Sequence, residues 1–185
     1  MLSSTGSVRR MPPTATGPNE QPPLLHVPRP AEAEPAGEMV MARAWLTHLR
    51  ESAIYKVEGL DDEQLRWQPA PTANSLGVLI VHLGYSERLW FRAICAGEEM
   101  DMAWRARMFA LPDGWSAADA IAFYRAETAA ADRVLDAAPS FDVRSRGPLR
   151  PTTLRWAVTH VIEETARHCG HMDITRELLD GLVGR

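Results

Sequence analysis

The chain has 185 residues, with 20 Lys and Arg against 24 Asp and Glu, a net charge of −4, 45% hydrophobic residues and two cysteines. That balance gives no basic face for nucleic acid, and no apolar run approaches the roughly 18–20 residues that span a bilayer. Cys95 and Cys169 stand alone, without a CxxC pattern or a disulfide framework, so the expected setting is a reducing cytoplasm.

Residues 1–37 hold eight of the fourteen prolines, with Ser, Thr, Gly and Glu between them and few large apolar side chains. Such a segment buries too little surface to offset its ordering entropy, and it reads as a disordered tail. Its Arg9, Arg10 and Arg29 balance Glu20, Glu32 and Glu34, and it has neither an apolar signal core nor an Arg-rich amphipathic targeting helix. Residues 38–185 are about the size of one domain with its own core.

The first helix is expected from near Glu38 to Glu58, stopped by Gly59. Met41, Trp45, Leu49, Ala53 and Val57 repeat at four, widened by Leu46 and Ile54, with Arg43, Arg50, Glu51 and Lys56 expected to face out. Asp61–Leu65 allows one helical turn before the break at Gln68-Pro69-Ala70-Pro71. The second helix begins at Asn74 or Ser75, either a good cap, and runs to about Ala96. Residues 97–115 are irregular, acidic at first and then bearing Trp104, Arg105 and Arg107, a candidate lid that would also bind an anionic substrate. Ser116 with Asp119 three residues on nearly forms a capping box for the third helix, which ends before Pro139. The fourth, capped by Thr152 or Thr153 and stopped by Gly181, is the longest uninterrupted helical pattern. Without any alternating strand pattern, the expected architecture is all-α, a bundle of four amphipathic helices, and two of its connections are long enough to cross an end of the bundle.

The chemistry concentrates in the fourth helix. Leu154, Ala157, Val161, Glu164, His168, Met172, Thr175 and Leu179 recur at steps of three or four, which sets them on one face. A carboxylate and an imidazole on a buried face are costly without partners. Helical bundles assemble metal sites from such inward Glu and His residues on facing helices. Of the two remaining histidines in the helical region, His82 lies among apolar residues, whereas His48 sits beside the outward Arg50. Two imidazoles and a carboxylate match catalytic zinc with its open position, and equally a non-haem iron site. Simpler explanations stand beside this one: an i,i+4 pair that stabilises a helix, a core His82 satisfied by one hydrogen bond, or a metal-free polar network. Glu87 and His171 are candidate outer partners of the ligands, His160 an outer or surface residue, and Cys169 a packing residue.

The segments Ser75–Phe91 (SLGVLIVHLGYSERLWF) and Leu154–Gly181 (LRWAVTHVIEETARHCGHMDITRELLDG) resemble the two signature stretches of the DinB/YfiT-like superfamily, and in particular its actinobacterial branch of uncharacterised and mini-circle proteins. The likeness covers about Glu38 to Gly181. It implies an antiparallel four-helix bundle, often dimeric, with a divalent metal held by a His of the second helix and a His/Glu-x3-His pair of the last. Carried over by motif, the metal ligands are His82, Glu164 and His168, with zinc first and nickel or iron as alternatives. Relatives include mycothiol-dependent isomerases, thiol S-transferases and an iron-dependent sulfoxide synthase. Set against that resemblance, the chain is expected to lack the additional domain of those isomerases and that synthase. The implied activity is metal-dependent S-transfer or thiol-assisted isomerisation, with a mycothiol-like thiol and a small electrophile as partners and a homodimer as the assembly. The alternative is a non-catalytic, metal-binding helical bundle.

Overall fold

The structure is a computed structural model that describes residues 29–30, 37–71, 73–101 and 103–184; the expected tail lies almost wholly outside them. Its helices are α1 (Glu38–Tyr55), α2 (Asp62–Arg66), α3 (Leu76–Glu87), continued by a π-helical segment (Arg88–Ala96), α4 (Trp104–Arg107), α5 (Ala117–Asp136) and α6 (Leu154–Asp180). The starts follow from side-chain caps. Ser75, Ser116 and Thr153 accept from the backbone N–H three residues on, and both Asp61 with Gln64 and Ser116 with Asp119 form capping boxes. The ends at Gly97 and Gly181 have φ of +79° and +81°, the left-handed geometry that favours glycine. α1 stops three residues earlier than its periodicity suggests, because Lys56–Gly59 turn out of the helix.

α1, α3, α5 and α6 form the bundle. Arg43 reaches Asp136 and Arg125 reaches Glu51, so α1 and α5 run in opposite senses. Leu49 meets Cys169 and Lys56 meets Asp173, so α1 and α6 run the same way. Gly84 packs against Phe123 and Arg88 bonds Glu127, which sets α3 parallel to α5. The 97–116 connection therefore crosses the bundle, while those on either side join antiparallel neighbours.

Two apolar clusters fill the interior. One gathers Ile54, Leu65, Leu79, Ile80, Tyr124 and Met172; the other gathers Leu46, Phe91, Ile94, Leu135, Phe141 and Val161. Between them lies a charged belt. Arg50 is 6% exposed and grips Glu87, 1% exposed, with two bonds of 2.8 Å, while a third of 2.8 Å reaches Asp132. Arg88 and Arg92 both hold Glu127. Arg50 and Lys56, expected on the outer face of α1, are thus inward, each because a carboxylate on another helix waits for it. Full burial drives the Glu87 carboxyl up and Arg50 draws it back; the two-point geometry is that of an ion pair.

The last connection is docked rather than loose. Arg146 N–H donates to Cys95 O at 3.1 Å and Gly147 N–H to Ile94 O at 2.9 Å, satisfying carbonyls at the end of the π-helix. A Cβ on Gly147 would stand 2.1 Å from Ala93 O, so only glycine allows this approach.

Candidate metal centre

At the level of the charged belt, α3 and α6 face each other with polar side chains. His82, 5% exposed, projects from α3, and Glu164 and His168 project from successive turns of α6. His82 Nε2 stands 3.0 Å from Glu164 Oε1, and His168 Nε2 stands 4.0 Å from the same oxygen. One ligand atom from each of the three lies within 4.8 Å of the other two. Donors around one tetrahedral cation at about 2.0–2.2 Å stand roughly 3.3 Å apart, so small side-chain rotations would close the set on an ion.

The carboxylate is divided between two tasks. Its Oε1 faces both imidazoles. Its Oε2 accepts from Ser86 Oγ at 2.7 Å and stands 3.1 Å from His160 Nε2. Ser86 lies one turn after His82 on α3 and His160 one turn before Glu164 on α6, so each helix supplies one ligand-facing imidazole and one anchor. The His160 ring stacks on Trp156 (5.0 Å, 19°) and meets Trp90 edge-on at 4.5 Å. His82 Nδ1 and His168 Nδ1 are buried without a hydrogen-bond partner. Both rings turn Nε2 toward the carboxylate and keep a buried Nδ1 without a partner, and two imidazoles with one carboxylate are a donor set that suits a divalent cation, so these residues fit the group.

Protonation agrees. Burial by itself would raise Glu164, but bonds from His82 and Ser86 outweigh it and hold the carboxyl down to about 2. Burial, then the neighbouring His82, lowers His168 to about 4. At neutral pH Glu164 is an anion and His168 a neutral base, the states a metal ligand requires. Burial pushes both cysteine thiols, Cys95 and Cys169, up to about 11. Neither is a thiolate near neutrality, and Cys169 only leans on Leu49 O at 3.6 Å.

The surroundings correct several expectations. Glu87 is no partner of a ligand: Arg50 holds both its oxygens. Ser86 and His160 contact Glu164 instead; the signal for His160 was its i,i+4 spacing to Glu164, and Ser86, inward on the second helix by periodicity, stands at the same spacing from His82. His171 meets His168 ring to edge at 5.6 Å. His48 lies on α1 against Trp45 and is not part of the cluster. In the crossing connection Trp104 is buried and Arg107 pairs with Asp101, so neither reaches the centre. Phe109 does. Its ring stacks on His82 (4.8 Å, 25°) while remaining 58% exposed, which places it over the His82 side of the trio.

The family model for mycothiol S-transferase matches residues 41–181, a span that contains both signature helices and all three converging side chains. The chain belongs to the mycothiol S-transferase family. No curated protein matches it. A crystal structure of a conserved protein from Enterococcus faecalis is similar, with a TM-score of 0.57 and 17% identity over 78% of this chain and 98% of that one; the likeness is one of fold. Within this mycothiol S-transferase family member, no helix of the described residues is long and apolar enough to cross a membrane.

Proposed function

We propose that this chain is a divalent-metal-dependent enzyme that joins a low-molecular-weight thiol, mycothiol in kind, to a small electrophile, by S-transfer or in a thiol-assisted isomerisation. The observation that carries the reading is the convergence of His82, Glu164 and His168 donors on one point, with the second carboxylate oxygen anchored separately. His82, Glu164 and His168 would hold the cation, zinc first with nickel or iron as alternatives. When bound, the cation supplies a Lewis acid that lowers the pKa of a coordinated thiol into the neutral range.

The chain's own residues do the remainder. Ser86 and His160 keep Oε1 of Glu164 turned toward the site and away from rotation into the α3–α6 groove. Phe109 shields the His82 side from water, which strengthens every charge interaction beneath it. Both cysteines of the chain are protonated and packed away, so the nucleophilic sulfur comes from a second molecule. That sulfur gives its proton to solvent and bonds the electrophilic carbon; in S-transfer the leaving group departs with the bonding pair, and in addition to a double bond the π pair takes up a proton.

Metal analysis of the purified protein beside His82→Ala and His168→Ala variants tests the site. Stoichiometric metal in the wild type and its loss in both variants are expected; a metal-free wild type would leave a buried hydrogen-bond network and end the proposal. Addition of a thiol should then shift the visible spectrum of the cobalt-substituted protein. If metal is present and no thiol moves the spectrum, the non-catalytic metal-binding bundle becomes the better reading.

A further inference from the structure

We propose that a second cavity, between the C-terminal half of α5, the π-helical end of α3 and residues 139–146, binds a small organic anion: a carboxylate or phosphate carried on a short apolar body. The cavity has a volume of about 260 Å³, just below the range of drug-sized pockets and suited to a small metabolite. It is not part of the metal centre. Leu154 on its wall precedes Glu164 by ten residues of α6, roughly 15 Å along the helix axis.

Four arginines line it from three elements: Arg92, Arg133, Arg144 and Arg146. Arg144 and Arg146 are aimed by their backbone. Arg144 pairs with Thr153 in an antiparallel bridge, and in extended chain alternate residues project to the same side. Ser145 between them turns the other way, its Oγ accepting from Thr152 N–H at 3.0 Å and donating to Arg150 O at 3.1 Å. The bonds from Arg146 and Gly147 to the π-helix, with that from Leu154 N–H to Val143 O at 2.9 Å, fix this platform. A ligand therefore meets cations whose backbone is already ordered, which lowers the entropy lost on binding.

Arg92 is paired with Glu98 and Glu127, but the other three cations lack internal counter-charges. Among the described residues no carboxylate pairs with Arg133, Arg144 or Arg146, and Glu98 on the wall is already bonded by Arg92 Nε at 2.8 Å. In a chain of net charge −4, three exposed arginines on one cavity wall without carboxylate partners make a local excess of positive charge that an anion would offset. Arg133 sits in the last turn of α5 and donates to Ala129 O at 3.2 Å, but helix-end relief does not account for Arg144 and Arg146, because the terminal carbonyls of Ile94 and Cys95 are already taken by Gly147 and Arg146 N–H groups. Beneath the charges, Ala130, Val134, Val143 and Leu154 present apolar surface. Charge at the mouth and hydrocarbon at the floor select an anion with a tail.

Calorimetric titration of the full chain tests this with phenyl phosphate and hexanoate, each beside its half-ligand, inorganic phosphate or hexanol. At least one of the two probes should bind saturably, at least tenfold tighter than its half-ligand. The stronger one tells phosphate ester from carboxylate. An Arg144→Gln/Arg146→Gln variant should weaken it at least tenfold, and Val134→Trp, which fills the floor and leaves every cation in place, should do the same. Binding should survive in the His82→Ala/His168→Ala protein, since anions also coordinate metals. Absence of saturable binding by both probes, indifference to the arginine pair or to Val134→Trp, or loss in the metal-site variant would each overturn the proposal.

Discussion

His160 lies outside the candidate ligand trio and still contacts it. It touches the Glu164 oxygen that faces away from the two imidazoles, and Trp156 and Trp90 hold its ring in place. Replacing such an anchor typically weakens metal affinity about 10–100-fold. His160→Ala should do so in competition with a chromophoric chelator, with helix content unchanged; His160→Gln, which can still donate to Oε2, should recover part of the loss. An affinity identical to wild type in both would remove His160 from the design. The same carboxylate sets a pH response in metal-free protein. Glu164 is held at about 2 against an ordinary 4.5, and His168 at about 4 against 6.5. Both folded values lie below the unfolded ones, so the unfolded chain takes up protons first as pH falls. Stability from His168 is lost between about pH 6.5 and 4, and from Glu164 between about 4.5 and 2. Urea midpoints of chelator-treated protein should decline through the upper window, and His168→Ala should flatten that part of the curve. A parallel decline in the variant would refute the assignment.

Among the elements, the charged belt is the feature that fixes how the helices meet. Arg50 of α1 ties α3 through Glu87 and α5 through Asp132, at a level where both apolar clusters end. Removing one member of a buried pair leaves the other as an uncompensated charge, at a cost of roughly 3–5 kcal/mol. Arg50→Ala should lower unfolding free energy by that order, whereas Arg50→Met with Glu87→Leu, which removes both charges and keeps volume, should recover most of it. Chemical denaturation of the two variants decides the matter, and a double variant as unstable as the single would mean the belt contributes attraction and not merely orientation. The crossing connection is the other consequential element. It sends α5 parallel to α3 and on the way delivers Phe109 to His82.

For the molecule as a whole, the metal would act as a cross-link between α3 and α6, two helices that lie far apart in the chain. Ligand that binds only the folded state stabilises it by about 2.7 kcal/mol at a hundred times its Kd. Dialysis against a chelator should therefore lower the thermal midpoint, and zinc should restore it; an unchanged midpoint would mean that the metal is absent or that it binds the unfolded chain equally well. The bundle and the spatial convergence of His82, Glu164 and His168 were legible in the sequence because each rests on periodicity, on capping at Ser75, Ser116 and Thr153, or on a polar residue in an apolar run. Pairings between distant residues were not. Arg50 and Lys56 resemble solvated cations until Glu87 and Asp173 come into place, and Phe109 resembles an ordinary loop residue until the chain crosses over. The π-helical stretch was also hidden, since its composition continues that of α3 without a break. Bonds that skip an additional residue in each turn reset the phase of a helix midway along its length. His82 and Ser86, before the π-helical segment, are aimed at α6, while Cys95 and Ala96, at its far end, line the cavity beside residues 139–146. One continuous rod thus carries two independent compass bearings. A one-residue deletion within Arg88–Ala96 would turn everything downstream by about 100° and leave the bearing of His82 where it is.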